Sequence, residues 1–378
     1  MPTLGAVARA WGRIGIVGFG GPPAHIALLR DLVVDRRKWM PADRFEDGLA
    51  AANLLPGPAS TQLAIYTAWW ARGLAGALVG GLAFILPGLV LIVALAALFL
   101  GDPPDWIRGA GAGAGAAVAA VAVHAGLQLL KPAWGRGGTD VRGRFAVYAL
   151  LGGAAAATLG PWLVAVLLLC GAVELGWRRS RAGGFSLAPF PALMIATATG
   201  GTLASLTWVA FKVGALSYGS GFVIIPLMQA DAVERYGWMT NTEFLNAVAL
   251  GQVTPGPVVH TVAAVGYAAA GVPGAALAAV VAFAPSFAFV LGGARSFDRL
   301  LANPDVRRFF DGAGASAIGA ILGSAIPLSL ALQETWQWGV LAGATVLLFV
   351  ARRGVVLTLL AAGAAGVAAV LLGAPLAA

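Results

Sequence analysis

The chain has 378 residues, of which 59% are hydrophobic and only 11% charged, against roughly 25% charged in an ordinary soluble domain. That balance excludes an ordinary soluble globular protein and points to an all-α, polytopic membrane protein. The formal charge of +8 does not imply nucleic-acid binding, because the basic residues are scattered through short loops between apolar runs.

In chain order, the first apolar run carries Arg13 and ends in a glycine-rich break, Phe19-Gly20-Gly21-Pro22, with His25 beside it. An ionisable residue within a membrane segment is expensive and marks a functional position by default. Near the interface, however, a long stem can carry the charge to water. A basic loop, Arg30 to Arg44, precedes the segment Phe45 to Trp70, which is interrupted by Leu55-Pro56-Gly57-Pro58. Gly73 to Leu100 and Gly109 to Leu130 are each long enough to cross a hydrocarbon core, which takes roughly 20 residues for about 30 Å. After the basic stretch Lys131 to Arg144, Phe145 to Leu159 and Trp162 to Trp177 read as a short hairpin turned at Gly160-Pro161. A further crossing is expected near Pro191 to Ala210. Lys212 and the glycine-rich Tyr218-Gly219-Ser220-Gly221 follow, then Phe244 to Gly271, interrupted by Pro255-Gly256-Pro257. Gly354 to Leu372 is the last long apolar run. Trp39, Trp106, Trp134, Trp177, Trp238 and Trp336 lie near loop boundaries, as interfacial rings do. Cys170 is the single cysteine, so neither an intramolecular disulfide nor a Cys-based metal site is possible. The N-terminus has no short apolar core with a small-residue cleavage site, so no removable signal peptide is expected.

The chain repeats itself. Trp39-Met40 recurs as Trp238-Met239, 199 residues on, and the same spacing pairs Phe45 with Phe244 and Pro56-Gly57-Pro58 with Pro255-Gly256-Pro257. It also pairs Arg13 with Lys212, Gly20 with Gly219, Asn53 with Gln252, and Phe84 with Phe283. Loop charge reverses between the copies: Arg30 to Asp47 holds five Lys/Arg residues, whereas Ala230 to Glu243 holds only Arg235. At the next matched loop the second copy is the basic one, with Arg295, Arg299, Arg307 and Arg308. If basic short loops stay cytoplasmic, the copies face opposite ways, the inverted-topology construction of many secondary transporters. The expected units are 1–180 and 209–378, joined by a membrane-crossing connection, 181–208. Each unit has a re-entrant or broken helix at its Pro-Gly-Pro.

Proline removes a backbone donor and glycine admits conformations that other residues resist. Non-helical backbone at membrane depth is tolerated only where protein buries it or a watery cavity lines it. A broken helix also offers a fresh N-terminus whose N–H groups attract anions. The breaks at Gly20, Gly21, Pro56, Gly57, Pro58, Gly219, Gly221, Pro255, Gly256 and Pro257 therefore mark a candidate oxyanion site. Asn53, Ser60, Gln62, Gln252, Thr254 and Thr261 would add hydrogen bonds, His25 and His260 anion or proton contacts, and Arg13 with Lys212 opposing charge. The histidines have no metal-ligand spacing and there is no ATP-binding lysine loop, nucleophile elbow or paired Cys. No enzyme activity, metal or cofactor is therefore expected. His124 reads as a packed, hydrogen-bonded helix residue.

Phe19-Gly20-Gly21-Pro22, Ala24-His25-Ile26-Ala27, Arg37-Lys38-Trp39 and Leu55-Pro56-Gly57-Pro58-Ala59-Ser60-Thr61-Gln62 resemble the signature of the chromate ion transporter family. So do Gly251-Gln252-Val253-Thr254-Pro255-Gly256-Pro257 and Pro226. The resemblance covers nearly the whole chain and matches the long, two-domain form. It implies export of chromate from the cytoplasm across an inner membrane, with sulfate as a structural mimic. Tyr218-Gly219-Ser220-Gly221 departs from the family's phenylalanine and glycine run and adds hydroxyls near the expected path. The alternatives are a carrier of sulfate or another oxyanion and, more remotely, a membrane-embedded enzyme or assembly factor. Expected partners are a small oxyanion and membrane lipid; a homodimer is compatible with the sequence.

Overall fold

Helices account for the regular structure of the described residues, which contain no strand. The computed structural model describes residues 2–54, 57–101, 103–135, 139–181, 201–217, 222–293 and 303–376. The first half of the crossing expected near Pro191 to Ala210 thus lies outside the described residues, and its second half falls in a helix, Thr202–Leu216.

The first stretch runs through α1 (Leu4–Val17), α2 (Pro22–Arg30), a π-helical turn (Asp31–Arg36), α3 (Ala42–Leu54) and α4 (Ala59–Phe99). α5 (Asp105–Ala116), α6 (Val118–Gly135), α7 (Thr139–Thr158) and α8 (Leu163–Arg181) follow. The hairpin expected at Gly160-Pro161 is a 3₁₀ turn, Gly160–Trp162, between α7 and α8. The second stretch opens with α9 (Thr202–Leu216), α10 (Ile224–Gln229), another π-helical turn (Ala230–Arg235) and α11 (Asn241–Val253). A 3₁₀ turn (Val258–His260) then leads into α12 (Thr261–Gly293). α13 (Pro304–Gly323), α14 (Ala325–Leu330), α15 (Thr335–Thr345), a π-helical turn (Val346–Val350) and α16 (Val355–Leu371) complete the described helices. Among the described residues, four helical segments are long and apolar enough to cross a membrane: Ala59–Phe99, Asp105–Gly135, Val258–Gly293 and Pro304–Leu330.

Local sequence explains where these elements start. Thr240 and Glu243 form a reciprocal capping box at the head of α11, satisfying two of the N–H groups a helix start leaves open. Asn303 caps α13 by accepting from Asp305 N–H and Val306 N–H, with Pro304 in the first turn, where its missing donor is harmless.

The two stretches match in their first elements. Both π-turns have six residues, α3 and α11 have thirteen each, and all these boundaries lie 199 residues apart. Phe45 and Phe244 are both fully buried. Beyond the Pro-Gly-Pro motifs the spacing becomes 198. Arg72 (φ −150°, ψ 23°) and Gly73 (φ 64°, ψ −152°) interrupt α4, and Ala270 (φ −155°, ψ 32°) and Gly271 (φ 61°, ψ −153°) interrupt α12 in the same way. The spacing shifts by one residue there and is 199 again for Phe84 with Phe283 and for the starts of α5 and α13. The second copy continues through a tighter 3₁₀ turn, Val258–His260, where the first enters its α-helix directly at Ala59.

Packing follows from small residues. α1 lies along α4, α9 along α12, and α4 meets α12 at the centre, while α5 packs on α16, and α7 and α8 on α13. Apolar burial does not drive helices together in lipid, so close backbone approach has to. Gly15 abuts the Phe84 carbonyl, Gly214 the Ala282 carbonyl and Gly319 the Ala149 carbonyl so closely that a Cβ at any of them would overlap backbone. A buried carboxylate, Glu174, ties α7 to α8: it accepts from Arg144 Nε (2.9 Å), Arg178 Nε (2.5 Å) and Tyr148 OH (3.1 Å). Arg178 reaches on to Asp311 of α13 at 3.2 Å.

Candidate functional site: a polar cluster between two broken helices

The α4–α12 contact brings the two breaks together, and each is held by the opposite stretch. Gly57 N–H donates to Ser217 O at 2.5 Å, and Gly256 N–H donates to Gly18 O at 3.0 Å. Ser217 and Gly18 are the residues on which α9 and α1 end. Donors and acceptors alike lie 199 residues apart, so the two bonds are reciprocal. Both donors have positive φ, Gly57 at 122° and Gly256 at 97°, a region a side chain resists.

Around these bonds is a buried set of polar side chains. His25 is fully buried and its Nε2 lies 2.8 Å from Gly18 O, so the same carbonyl receives both the imidazole and the second break. This bond places the proton on Nε2 and leaves Nδ1 an acceptor with no partner among the described residues. His260 is also fully buried; its ring flanks Gly256 and Gly88, and neither nitrogen makes a well-formed hydrogen bond among the described residues. The two imidazoles sit edge-on to phenylalanines, His25 to Phe84 (5.2 Å) and His260 to Phe283 (5.3 Å). At the first break Gln62 and the Ser286 hydroxyl flank Gly57. Ser60, Thr61, Ser217, Thr254 and Ser286 hydroxyls and the Gln252 amide nitrogen are buried without a partner among the described residues. Each such group costs about 1–3 kcal/mol when left unpaired. Their concentration at two backbone breaks is the arrangement expected of a site that exchanges hydrogen bonds with a solute. Helix starts add to it, since the first N–H groups after Pro58 and after Pro257 have no intrahelical acceptor.

The sequence-derived candidates divide under this geometry. Ser60, Gln62, Gln252, Thr254, His25, His260, Gly57, Pro58, Gly256 and Pro257 belong to the buried region around the breaks. Pro255 joins them, its carbonyl packed on Gly88, and Gly20 and Gly21 have positive φ at the head of α2. Pro56, Gly219 and Gly221 lie outside the described residues. Thr261 is buried, but its hydroxyl already donates to Val258 O at 2.8 Å, closing the 3₁₀ turn. Asn53 does not join the set: it is exposed on α3, although its counterpart Gln252 is buried. Arg13 and Lys212 do not form a matched pair of free cations. Arg13 is exposed on α1, whereas Lys212 is buried, ion-paired with Asp231 and stacked over Trp208 at 5.9 Å. The position matching Asp231 in the first stretch is Leu32, so that stretch offers no such buried counter-ion. His124 bonds Gln128 at 2.7 Å and packs on Phe349, away from the breaks.

Sequence reasoning missed Gly18, Ser217, Gly88, Ser286 and Asp231. Gly18 and Ser217 carry the repeat spacing and could have been found by applying it to every position beside a break. Asp231 has no polar counterpart and left no such signal.

Apolar spanning helices enclosing a buried polar cluster define a multi-pass membrane protein. The chain belongs to the chromate transporter family, whose sequence profile matches residues 5–176 and 204–367. It is 31% identical to the chromate transport protein of Cupriavidus metallidurans, over 86% of this chain and 83% of that one. It is 30% identical to the probable chromate transport protein of Synechococcus elongatus (84% and 82%) and to the chromate transport protein of Pseudomonas aeruginosa (94% and 89%). No solved structure matches.

Proposed function

We propose that this chain exports chromate across the inner membrane as a secondary transporter, by alternating access between two inverted repeats, residues 1–180 and 209–378. The reciprocal pair of bonds, Gly57 to Ser217 and Gly256 to Gly18, carries the proposal. Each break is anchored on the other stretch, so movement of one stretch against the other must remake both anchors. The substrate is a tetrahedral dianion. N–H groups at the starts of α4 and of the Val258–His260 turn face it, with Ser60, Thr61, Gln62, Gln252, Thr254, His25 and His260 completing its hydrogen bonds. Helix N-termini and uncharged donors bind such an ion without a fixed counter-charge. This fits a cluster from which Arg13 is turned away and in which Lys212 is occupied by Asp231. The reversal of loop charge and the family relatives, which are named transport proteins, support the same reading.

Flux of labelled chromate and labelled sulfate through proteoliposomes tests it. Saturable chromate transport, inhibited less than tenfold by equimolar sulfate, is expected. Preferential carriage of sulfate would make chromate incidental, and carriage of neither ion would sink the proposal.

A further inference from the structure

Among the described residues, the Lys212–Asp231 ion pair is the one charge pair with both members strongly buried, and the proposed substrate site does not use it. Lys212 is 4% exposed and Asp231 0%. The pair joins α9 to the second π-turn, and α9 ends on Ser217, the residue whose carbonyl holds Gly57. It therefore positions the acceptor on which the first break hangs. The matched stretch does without any such link: Arg13 is exposed and Leu32 stands at the carboxylate's position, yet Gly18 still holds Gly256. Packing alone thus suffices to build one anchor. A buried ion pair adds little net stability over an apolar replacement, whereas ionisable residues inside membrane proteins recur on ion and proton paths.

Among the described residues, the charged groups facing Asp231 are few. Lys212 approaches from α9, and Arg235 on the same turn lies 3.9 Å from the second carboxylate oxygen. Glu234, also on the turn, is exposed and faces Gly160, and Glu243 at the head of α11 is occupied by its capping box. α10 and the Gly160–Trp162 turn, packed against this π-turn, carry no charged residue, and neither does α12, packed against α9.

We propose that Asp231 is a proton-binding site of the transport cycle. One proton taken from water forms an O–H bond on an Asp231 carboxylate oxygen and breaks the ion pair with the Lys212 ammonium. Its release on the other side of the membrane restores the pair; no electron moves and no other covalent bond changes. With the carboxylate neutral, α9 and Ser217 are no longer clasped to the π-turn, and the hold on Gly57 loosens.

This inference rests on the transport reading above, and two measurements in proteoliposomes separate them. Exchange of labelled chromate at equal concentrations on both sides reports transport alone. Net chromate distribution under an imposed pH gradient, with the membrane potential clamped, reports coupling. In the wild type, a tenfold proton gradient should shift the distribution by up to about tenfold per coupled proton, reversing with the gradient. In Asp231→Asn the gradient's effect on the distribution should fall below twofold whatever exchange rate remains, and Asp231→Glu should restore it. A purely structural pair would lower the exchange rate but leave the gradient's effect at its wild-type size, and that outcome overturns the proposal. So does a wild type indifferent to the gradient. Lumenal pH, followed with a trapped dye during net chromate flux by the wild type, tests the same point without any variant: a steady signal overturns the proposal. Absence of chromate exchange in the wild type would instead overturn the transport reading, and this inference with it.

Discussion

At the first break the side chains against Gly57 are the Gln62 amide and the Ser286 hydroxyl, and the Ser60, Thr61 and Ser217 hydroxyls, of which Ser60 and Thr61 follow the break in sequence and Ser217 is the residue that anchors it, are buried as well. At the second, the imidazoles of His25 and His260 flank the bond that Gly256 donates to Gly18, and the facing wall is Gly88, which has no side chain. His260 stands 198 residues after Gln62, and Ser286 198 after Gly88, the spacing that also relates the interruptions at Gly73 and Gly271. The backbone is thus held alike at both breaks while the chemistry offered differs. Anchoring depends on glycine conformation and carbonyl position, which side-chain exchange leaves intact. In the proposed transport cycle, what the exchanged side chains alter is which ion, in which protonation state, each break prefers.

The charge pair offers the largest way to break this comparison. Lys212→Ala leaves Asp231 buried without its principal partner, and stability should fall by about 3–5 kcal/mol, measured as urea or thermal unfolding in detergent. Next come the break glycines. Gly57→Ala and Gly256→Ala each force a Cβ into a left-handed backbone, at about 1–3 kcal/mol. The second should be the worse, because its Cβ meets the His260 ring at 2.9 Å, whereas at Gly57 the obstacle is the movable end of Gln62. Equal losses would remove the distinction between a rigid and an adaptable break. His260→Gln gives the second break the first one's side chain. It should change the chromate-to-sulfate rate ratio several-fold with little change in unfolding, and Gln62→His should change it in the opposite sense. The smallest effect is expected of Arg13→Ala, below twofold on flux, since that side chain is exposed; a loss above tenfold would return Arg13 to the path.

Much of this organisation was legible in the sequence. Composition alone placed the chain in a membrane, Gly57-Pro58 and Pro255-Gly256-Pro257 stand between described helices, and segment bounds expected at Gly73 and Gly271 coincide with interruptions of α4 and α12. Less legible was the fate of polar residues that share the same spacing. Asn53 and Gln252 are partners in the alignment, yet one is exposed and the other buried. Arg13 and Lys212 diverge in the same way. Helical position fixes a side chain's direction relative to its own helix only, and whether that direction meets a neighbour depends on how helices distant in the chain pack.

By itself, then, the sequence determined the solvent, the helical class, the places where helices must break, and family membership. These follow from hydropathy, from proline's missing donor and glycine's missing Cβ, and from motif. Only the tertiary structure decided that Gly57 hangs on Ser217 and Gly256 on Gly18, that His25 and His260 flank one break, and that Lys212 is claimed by Asp231. Except for Lys212 and Asp231, 19 residues apart, those pairings join residues far apart in the chain. They exist because glycine and alanine faces let α4, α12, α1 and α9 approach to backbone contact.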